Sequence, residues 1–137
     1  MAEAMILQKY RVQYFICSNC GFVQTEKPYW LSEAYSESIA RSDLGLISRN
    51  IKVSNISAVM ISAFFNSQAE FLDYGGGNGM FVRLMRDKGL NFYWQDLYTQ
   101  NQFARGFEIK DNVRFELVTA FEVFEHLEDP LVEIEKM

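Results

Sequence analysis

Apolar residues recur at Leu44, Ile47, Ile51, Ala58, Ile61 and Phe65, and Leu46, Val53, Ile56, Val59, Met60 and Phe64 widen the stripe. This spacing predicts a helix from Leu44 to Phe65 with one broad face to bury, broken once near Val53 to Asn55. Asn66-Ser67-Gln68 ends the pattern, and Glu70-Phe71-Leu72-Asp73 reads as a short buried strand leading into glycines. From Met80 to Lys88 the spacing is helical again, with Gly89 placed as a left-handed C-terminal cap. Strand, glycine turn and helix in this order open a βαβ unit. A second strand is expected at Asn91 to Asp96, a short helix at Tyr98 to Phe107, a third strand at Arg114 to Ala120, and a last helix opened by Pro130 and running to Met137.

Upstream, the pattern has a period of two. Residues 10 to 30 alternate through Val12, Tyr14 and Ile16, turn at Cys17-Ser18-Asn19-Cys20-Gly21, and continue through Phe22 and Val23 as a small hairpin-like knuckle. Pro28 ends it, and Leu31 to Arg41 has the polar content of a short surface helix. The expected organisation is a knuckle and linker helix over residues 1–42, followed by an α/β domain with a parallel sheet over 43–137.

Composition narrows the class. With 137 residues, 49% hydrophobic and 15% aromatic, the chain has ample material for a packed core and is not globally disordered. Its 13 basic and 18 acidic side chains give a net charge of −5, and no Lys/Arg run is longer than two, so nucleic acid is not an expected partner. No stretch approaches the ~18 consecutive apolar residues of a membrane-spanning helix, and the opening MAEAMILQKYRVQ lacks a basic-then-apolar signal. A cytoplasmic protein without a membrane partner is expected. Cys17 and Cys20 stand too close in sequence to staple a domain, which excludes the disulfide-rich secreted class.

The turn Asp73-Tyr74-Gly75-Gly76-Gly77-Asn78-Gly79 carries the candidate chemistry. Its glycines let main chain approach a ligand more closely than a Cβ would permit; an ordinary flexible strand-to-helix loop is the alternative. A nucleotide P-loop needs Gly-Lys and then Ser or Thr, but Met80 and Phe81 follow Gly79. A dinucleotide fingerprint counted from Gly75 and Gly77 puts Met80 at its third glycine, a poor fit. The strand ends instead in a carboxylate, Asp73, which repels pyrophosphate and suits a ligand carrying an ammonium and a sulfonium, by direct or water-mediated contact. S-adenosylmethionine is such a ligand. Asp96 closes the second strand nineteen residues beyond Gly77, where an acid can accept hydrogen bonds from both ribose hydroxyls, or alternatively cap a helix near Tyr98.

At these residues the sequence resembles class I S-adenosylmethionine-dependent methyltransferases. FLDYGGGNGMF looks like their first motif, WQD like the acidic end of the second strand, and FELVTAFEVFEHLEDP like the fourth-strand segment, all in the right order from Phe71 to the last residue. The resemblance implies a Rossmann-like methyltransferase fold that binds S-adenosylmethionine and methylates a small-molecule acceptor. It implies cofactor contacts from Asp73, Tyr74, Gly75, Gly76, Gly77, Gly79, Asp96, Leu97, Phe121 and Glu122. It also implies an incomplete parallel sheet, with the chain ending in the helix after the family's fourth strand and much of the acceptor pocket missing. One flank of that strand would then be unpaired, so a homo-oligomer or swapped dimer through the edge is expected. The seventeen residues from Leu97 to Val113 leave little room for the family's usual third strand.

Residues 14 to 50 also resemble the leader of a methyltransferase subgroup that carries an N-terminal zinc-binding segment and includes sugar C-methyltransferases, which makes a sugar or sugar nucleotide the candidate acceptor. In that subgroup a first Cys-x-x-Cys precedes the pair seen here. Cys17 and Cys20 can supply two zinc thiolates, half of a structural site, so the zinc reading describes a parent protein more than this chain.

Glu122, Glu125 and His126 lie just past a strand end, at a spacing that would gather them on one side of a helical turn. Some related quinone O-methyltransferases associate a similar E-x-x-E-H run with a divalent cation; a solvated acidic helix start is the alternative. Methyl transfer is an in-line displacement that relies on positioning and exclusion of water, and needs a base only when the nucleophile must lose a proton. His126 is the first candidate for that base and Glu125 the second. Two further readings stay open: a non-catalytic S-adenosylmethionine-binding module, and a fragment of a dinucleotide-binding oxidoreductase.

Overall fold

Phe71 and Phe92 are paired in register on neighbouring parallel strands, both fully buried, with ring centroids 5.2 Å apart. They mark the core of the larger of two compact units, residues 1–37 and 38–137. The structure is a computed structural model that describes residues 2–34 and 44–137.

In the smaller unit, β1 (Ala2–Ile6), β2 (Tyr10–Ile16) and β3 (Val23–Thr25) form an antiparallel sheet in that order. Leu7 and Gln8 turn β1 into β2 with φ of 53° and 57°, the left-handed pair that suits a tight hairpin. The predicted alternation holds in β2 through Val12, which is fully buried, and Tyr14, and fails at Ile16, which is exposed. β1 was not anticipated, because its side chains are nearly all exposed and leave no period-two signal. The knuckle is closed by Cys17 N–H donating to the Phe22 carbonyl at 2.8 Å and Gly21 N–H donating to the Cys17 carbonyl at 2.9 Å. Gly21 sits at φ 76°, which a side chain would strain. A short helix, α1 (Leu31–Ala34), follows the buried Trp30; the rest of the helix expected up to Arg41 lies outside the described residues.

In the larger unit, α2 (Leu46–Phe64) precedes β4 (Glu70–Tyr74), α3 (Met80–Asp87), β5 (Asn91–Gln95) and β6 (Leu117–Thr119). A 3-10 turn at Phe124–His126 and a five-residue helix, α4 (Pro130–Ile134), complete it. The three strands are parallel in the order β5-β4-β6. β4 is therefore central and its glycine turn opens between two neighbours, an arrangement consistent with the Rossmann-like expectation. β6 has β4 on one side and, among the described residues, no strand on the other. Ile61 of α2, Phe81, Val82 and Met85 of α3, and Phe71, Phe92, Leu90 and Ala104 make one core cluster. Gly89 stands at φ 82° as the expected cap, with Gly89 N–H on the Arg86 carbonyl and Leu90 N–H on that of Met85. Asp129 caps α4 by accepting from the N–H groups of Leu131 and Val132, with Pro130 at the first helical position.

Two expectations are corrected. α2 runs unbroken through Val53 to Asn55, because the buried Ser54 hydroxyl donates back to the Ile51 carbonyl at 2.9 Å and accepts from Lys88 Nζ at 3.2 Å. A polar group that would otherwise interrupt the helix is satisfied twice. No helix forms from Tyr98 to Phe107. Its N–H groups are taken by other acceptors: those of Tyr98 and Thr99 by Asp96, those of Gln102 and Phe103 by the Asn78 carbonyl, and that of Ala104 by Asn101. What stands where a further strand would pair is a single parallel bridge, Trp94 to Glu108. Among the described residues no helix is long and apolar enough to cross a membrane.

Candidate functional site

β4 delivers Asp73 to the mouth of the glycine turn, and its carboxylate is drawn into the protein. The residue is 3% exposed, and Asp73 Oδ1 accepts from the Thr119 hydroxyl of β6 at 2.8 Å. Burial pushes the carboxyl up to about 7; the Thr119 hydrogen bond opposes the rise and the Asp96 charge adds to it. Two carboxylates thus share the base of one turn. In this geometry Asp73 offers almost no exposed surface.

The turn glycines divide into two kinds. A Cβ on Gly75 would meet Val123 Cγ2 at 2.6 Å, one on Gly76 would meet Trp94 Cδ1 at 2.8 Å and Asp73 Oδ2 at 2.9 Å, and one on Gly79 would meet Asn101 and Ala104 at under 3.0 Å. These three are glycine because the protein's own packing leaves no room. Gly77, at φ 54°, has nothing within 4 Å of its Cβ position. Of the four, it alone has open space on its Cβ side.

Four N–H groups along the turn and the start of α3 have acceptors within the protein, while, among the described residues, those of Gly75 and Asn78 have none. That of Gly76 donates to the Gln95 carbonyl at 3.0 Å, Gly77 to Asp96 Oδ2 at 2.9 Å, Gly79 to the Gly76 carbonyl at 2.9 Å, and Met80 to Asn78 Oδ1 at 3.3 Å. A phosphate-binding turn works by aiming such donors outward at an anion. This turn aims three of them at oxygens of the turn and of the β5 end, and sets two acids beside them.

Asp96 is brought to the turn from the end of β5 as the sequence suggests. Its Oδ2 holds Gly77, and its Oδ1 accepts the N–H groups of Tyr98 and Thr99 at 2.8 and 2.7 Å. A carboxylate has about four lone-pair sites. Three are filled, so one acceptor site remains, at Oδ2, fewer than the two that both ribose hydroxyls would need. The capping contact at Tyr98 exists without the helix it was expected to start.

Leu97 is 72% exposed beyond Asp96, and Phe121 packs edge-on against Phe81 at 5.0 Å. Tyr74 donates its phenol to Glu133 of α4; burial first, and then this bond, pushes the phenol up to about 12. Val123 lies against Gly75, so the segment after β6 covers one side of the turn. Glu122 does not share a helical turn with Glu125 and His126. It takes φ 56°, outside the helical region, and the 3-10 turn starts only at Phe124. Glu125 and His126 are both more than half exposed, with His126 Nε2 4.0 Å from Glu125 Oε1. Among the described residues no group of three or more His, Cys, Asp or Glu side chains comes together, so neither this run nor Cys17 and Cys20 gathers a full ligand set there. Cys17 and Cys20 are exposed and free. The Cys17 thiol is lowered by N–H groups of Cys20 and Asn19 and by the Cys20 thiol.

Trp94 and Thr119 belong to this site and were not singled out from sequence. For Trp94 a signal existed, since it lies two residues before Asp96 in the expected strand. For Thr119 it was only a polar residue in an apolar strand, and its partner Asp73 is 46 residues away.

The sequence pattern of a family described as "Methyltransferase domain" matches residues 49–137, from early α2 through the glycine turn to the last residue. No curated protein and no solved structure matches the chain.

Proposed function

The chain belongs to the methyltransferase-domain family, and on that footing we propose that its glycine turn binds S-adenosylmethionine for class I methyl transfer to a small-molecule acceptor. The observation that carries this reading is the turn itself, in which the N–H groups of Gly76, Gly77 and Gly79 are consumed internally while Asp73 and Asp96 flank it. A phosphate would meet two acids, whereas the sulfonium and the ammonium of the cofactor are attracted by them. The residues fit the cofactor. Gly77 supplies the open main chain, Asp96 the remaining acceptor for a ribose hydroxyl, and Asp73 the buried negative field.

When bound, the cofactor supplies an electrophilic methyl group. The protein's part is to hold it and to shape the approach of the acceptor. Val123 and Phe121, on the segment after β6, border the turn. His126 is proposed as the group that takes a proton from the acceptor, with Glu125 as second candidate, their exposure leaving both within reach of an incoming molecule. The finer proposal is a sugar or sugar-nucleotide acceptor, with zinc taken in part by Cys17 and Cys20, as in the subgroup that residues 14 to 50 resemble.

Calorimetric titration tests the cofactor reading. S-adenosylhomocysteine is expected to bind, and a nicotinamide dinucleotide and ATP are not. Binding of either phosphate-bearing nucleotide with indifference to S-adenosylhomocysteine would overturn it.

A further inference from the structure

Trp94 of β5 and Asp96, just past the end of that strand, take hold of the two polar groups of a single residue. The Trp94 indole N–H donates to the Gly77 carbonyl at 2.8 Å, and the Gly77 N–H donates to Asp96 Oδ2 at 2.9 Å. Gly77 is the turn glycine whose Cβ side is open. The indole also closes the back of the turn, since its Cδ1 fills the space a Gly76 side chain would need. Through its backbone, Trp94 donates to the Phe107 carbonyl at 2.7 Å and accepts from the Ile109 N–H at 2.9 Å. One residue therefore ties the glycine turn to the segment on the far side of β5.

We propose that Trp94 is a positioning residue for the cofactor: its indole N–H locks the Gly77 peptide so that the open face of the turn is set before the ligand arrives. This rests on the cofactor reading above. Glycine moves between left- and right-handed conformations at little cost, so a Gly77 held only by Asp96 would spend time re-aimed. Affinity falls in proportion to the fraction of molecules in which the cradle is not formed. The donor is what matters, because an indole offers one N–H and no other polar group.

The test separates the N–H from the ring. Site-specific replacement of Trp94 by benzothienylalanine keeps the bicyclic shape and puts sulfur in place of the N–H; Trp94→Phe is the simpler companion. Binding of S-adenosylhomocysteine is measured by calorimetry, and amide exchange is followed at Gly77, Phe71 and Val82. Both variants are expected to bind about five- to tenfold more weakly, the scale of one lost hydrogen bond. Exchange at Gly77 is expected to quicken while Phe71 and Val82 stay protected, whereas a merely structural role would move all three together or none. Unchanged affinity, within twofold, in the benzothienylalanine protein overturns the role of Trp94 and leaves the cofactor reading intact. If the native protein itself ignores S-adenosylhomocysteine, both fall.

Discussion

The Thr119 hydroxyl and the Asp73 carboxylate meet at 2.8 Å between two neighbouring parallel strands, both buried, at the base of the glycine turn. The same hydroxyl also reaches the Leu72 carbonyl at 3.2 Å. One small polar side chain thus supports an acid that burial alone would keep protonated. Its consequences are measurable.

Asp73 destabilises the free protein at neutral pH. Its folded pKa, about 7, lies above its ordinary 3.8, so between these values the folded chain holds a proton that the unfolded chain has released. The contribution to stability is present below about pH 4 and is lost as pH rises through about 7, a loss on the order of 4 kcal/mol. Urea unfolding of the native protein and of Asp73→Asn from pH 4 to 8 should diverge, the variant gaining relative stability as pH rises. Parallel curves would contradict the buried acid.

Ligand affinity should run the other way with pH. Only the ionised acid attracts a cation, so binding of S-adenosylmethionine, which carries the sulfonium, is expected to strengthen up to about pH 7 and then level off, by at most about tenfold per pH unit. In Thr119→Val the hydrogen bond that holds the carboxyl down is gone, and the levelling-off point should move to higher pH. A profile that is flat from pH 5.5 to 8.5 in both proteins would rule out coupling between Asp73 and the ligand.

Two alanine substitutions two residues apart should have opposite signatures. Gly75→Ala drives a methyl into Val123 at φ 66°, and a stability loss of about 2–4 kcal/mol is expected. Gly77→Ala meets no neighbour and should cost only the left-handed strain, about 1–2 kcal/mol. Yet its methyl enters the open face, so S-adenosylhomocysteine affinity should drop at least about tenfold. Thermal melts and calorimetry on both proteins check the contrast, and full affinity in Gly77→Ala would remove Gly77 from the site.

The Cys17 thiol, lowered by the N–H groups of Cys20 and Asn19 and by the Cys20 thiol, should react with iodoacetamide at pH 7 faster in the folded protein than in urea. Equimolar zinc should slow alkylation of both cysteines if the pair takes the metal. Mass spectrometry of timed samples reads both effects, and labelling that ignores zinc counts against the zinc-associated subgroup.

The run from Glu70 to Asp96 was legible because its signals are local. A buried strand, a glycine turn, a helix ended by Gly89 and a second strand each follow from spacing within a few residues, and Asp73 and Asp96 were placed at the turn by strand length alone. The fate of Ser54 was not legible, since the lysine that satisfies it is 34 residues away. Nor was the loss of the helix after Tyr98, decided by Asp96, Asn78 and Asn101 capturing its N–H groups before they could find carbonyls four residues back. The sequence by itself determined that a carboxylate and a set of glycines open a strand-to-helix turn. Which glycine faces open space, which N–H groups are spent, and that Trp94 and Thr119 hold the arrangement were decided only in the tertiary structure. Periodicity and turn propensity act along the chain, whereas the hydrogen-bond partner of a buried polar group is whatever distant residue packing brings within 3 Å of it.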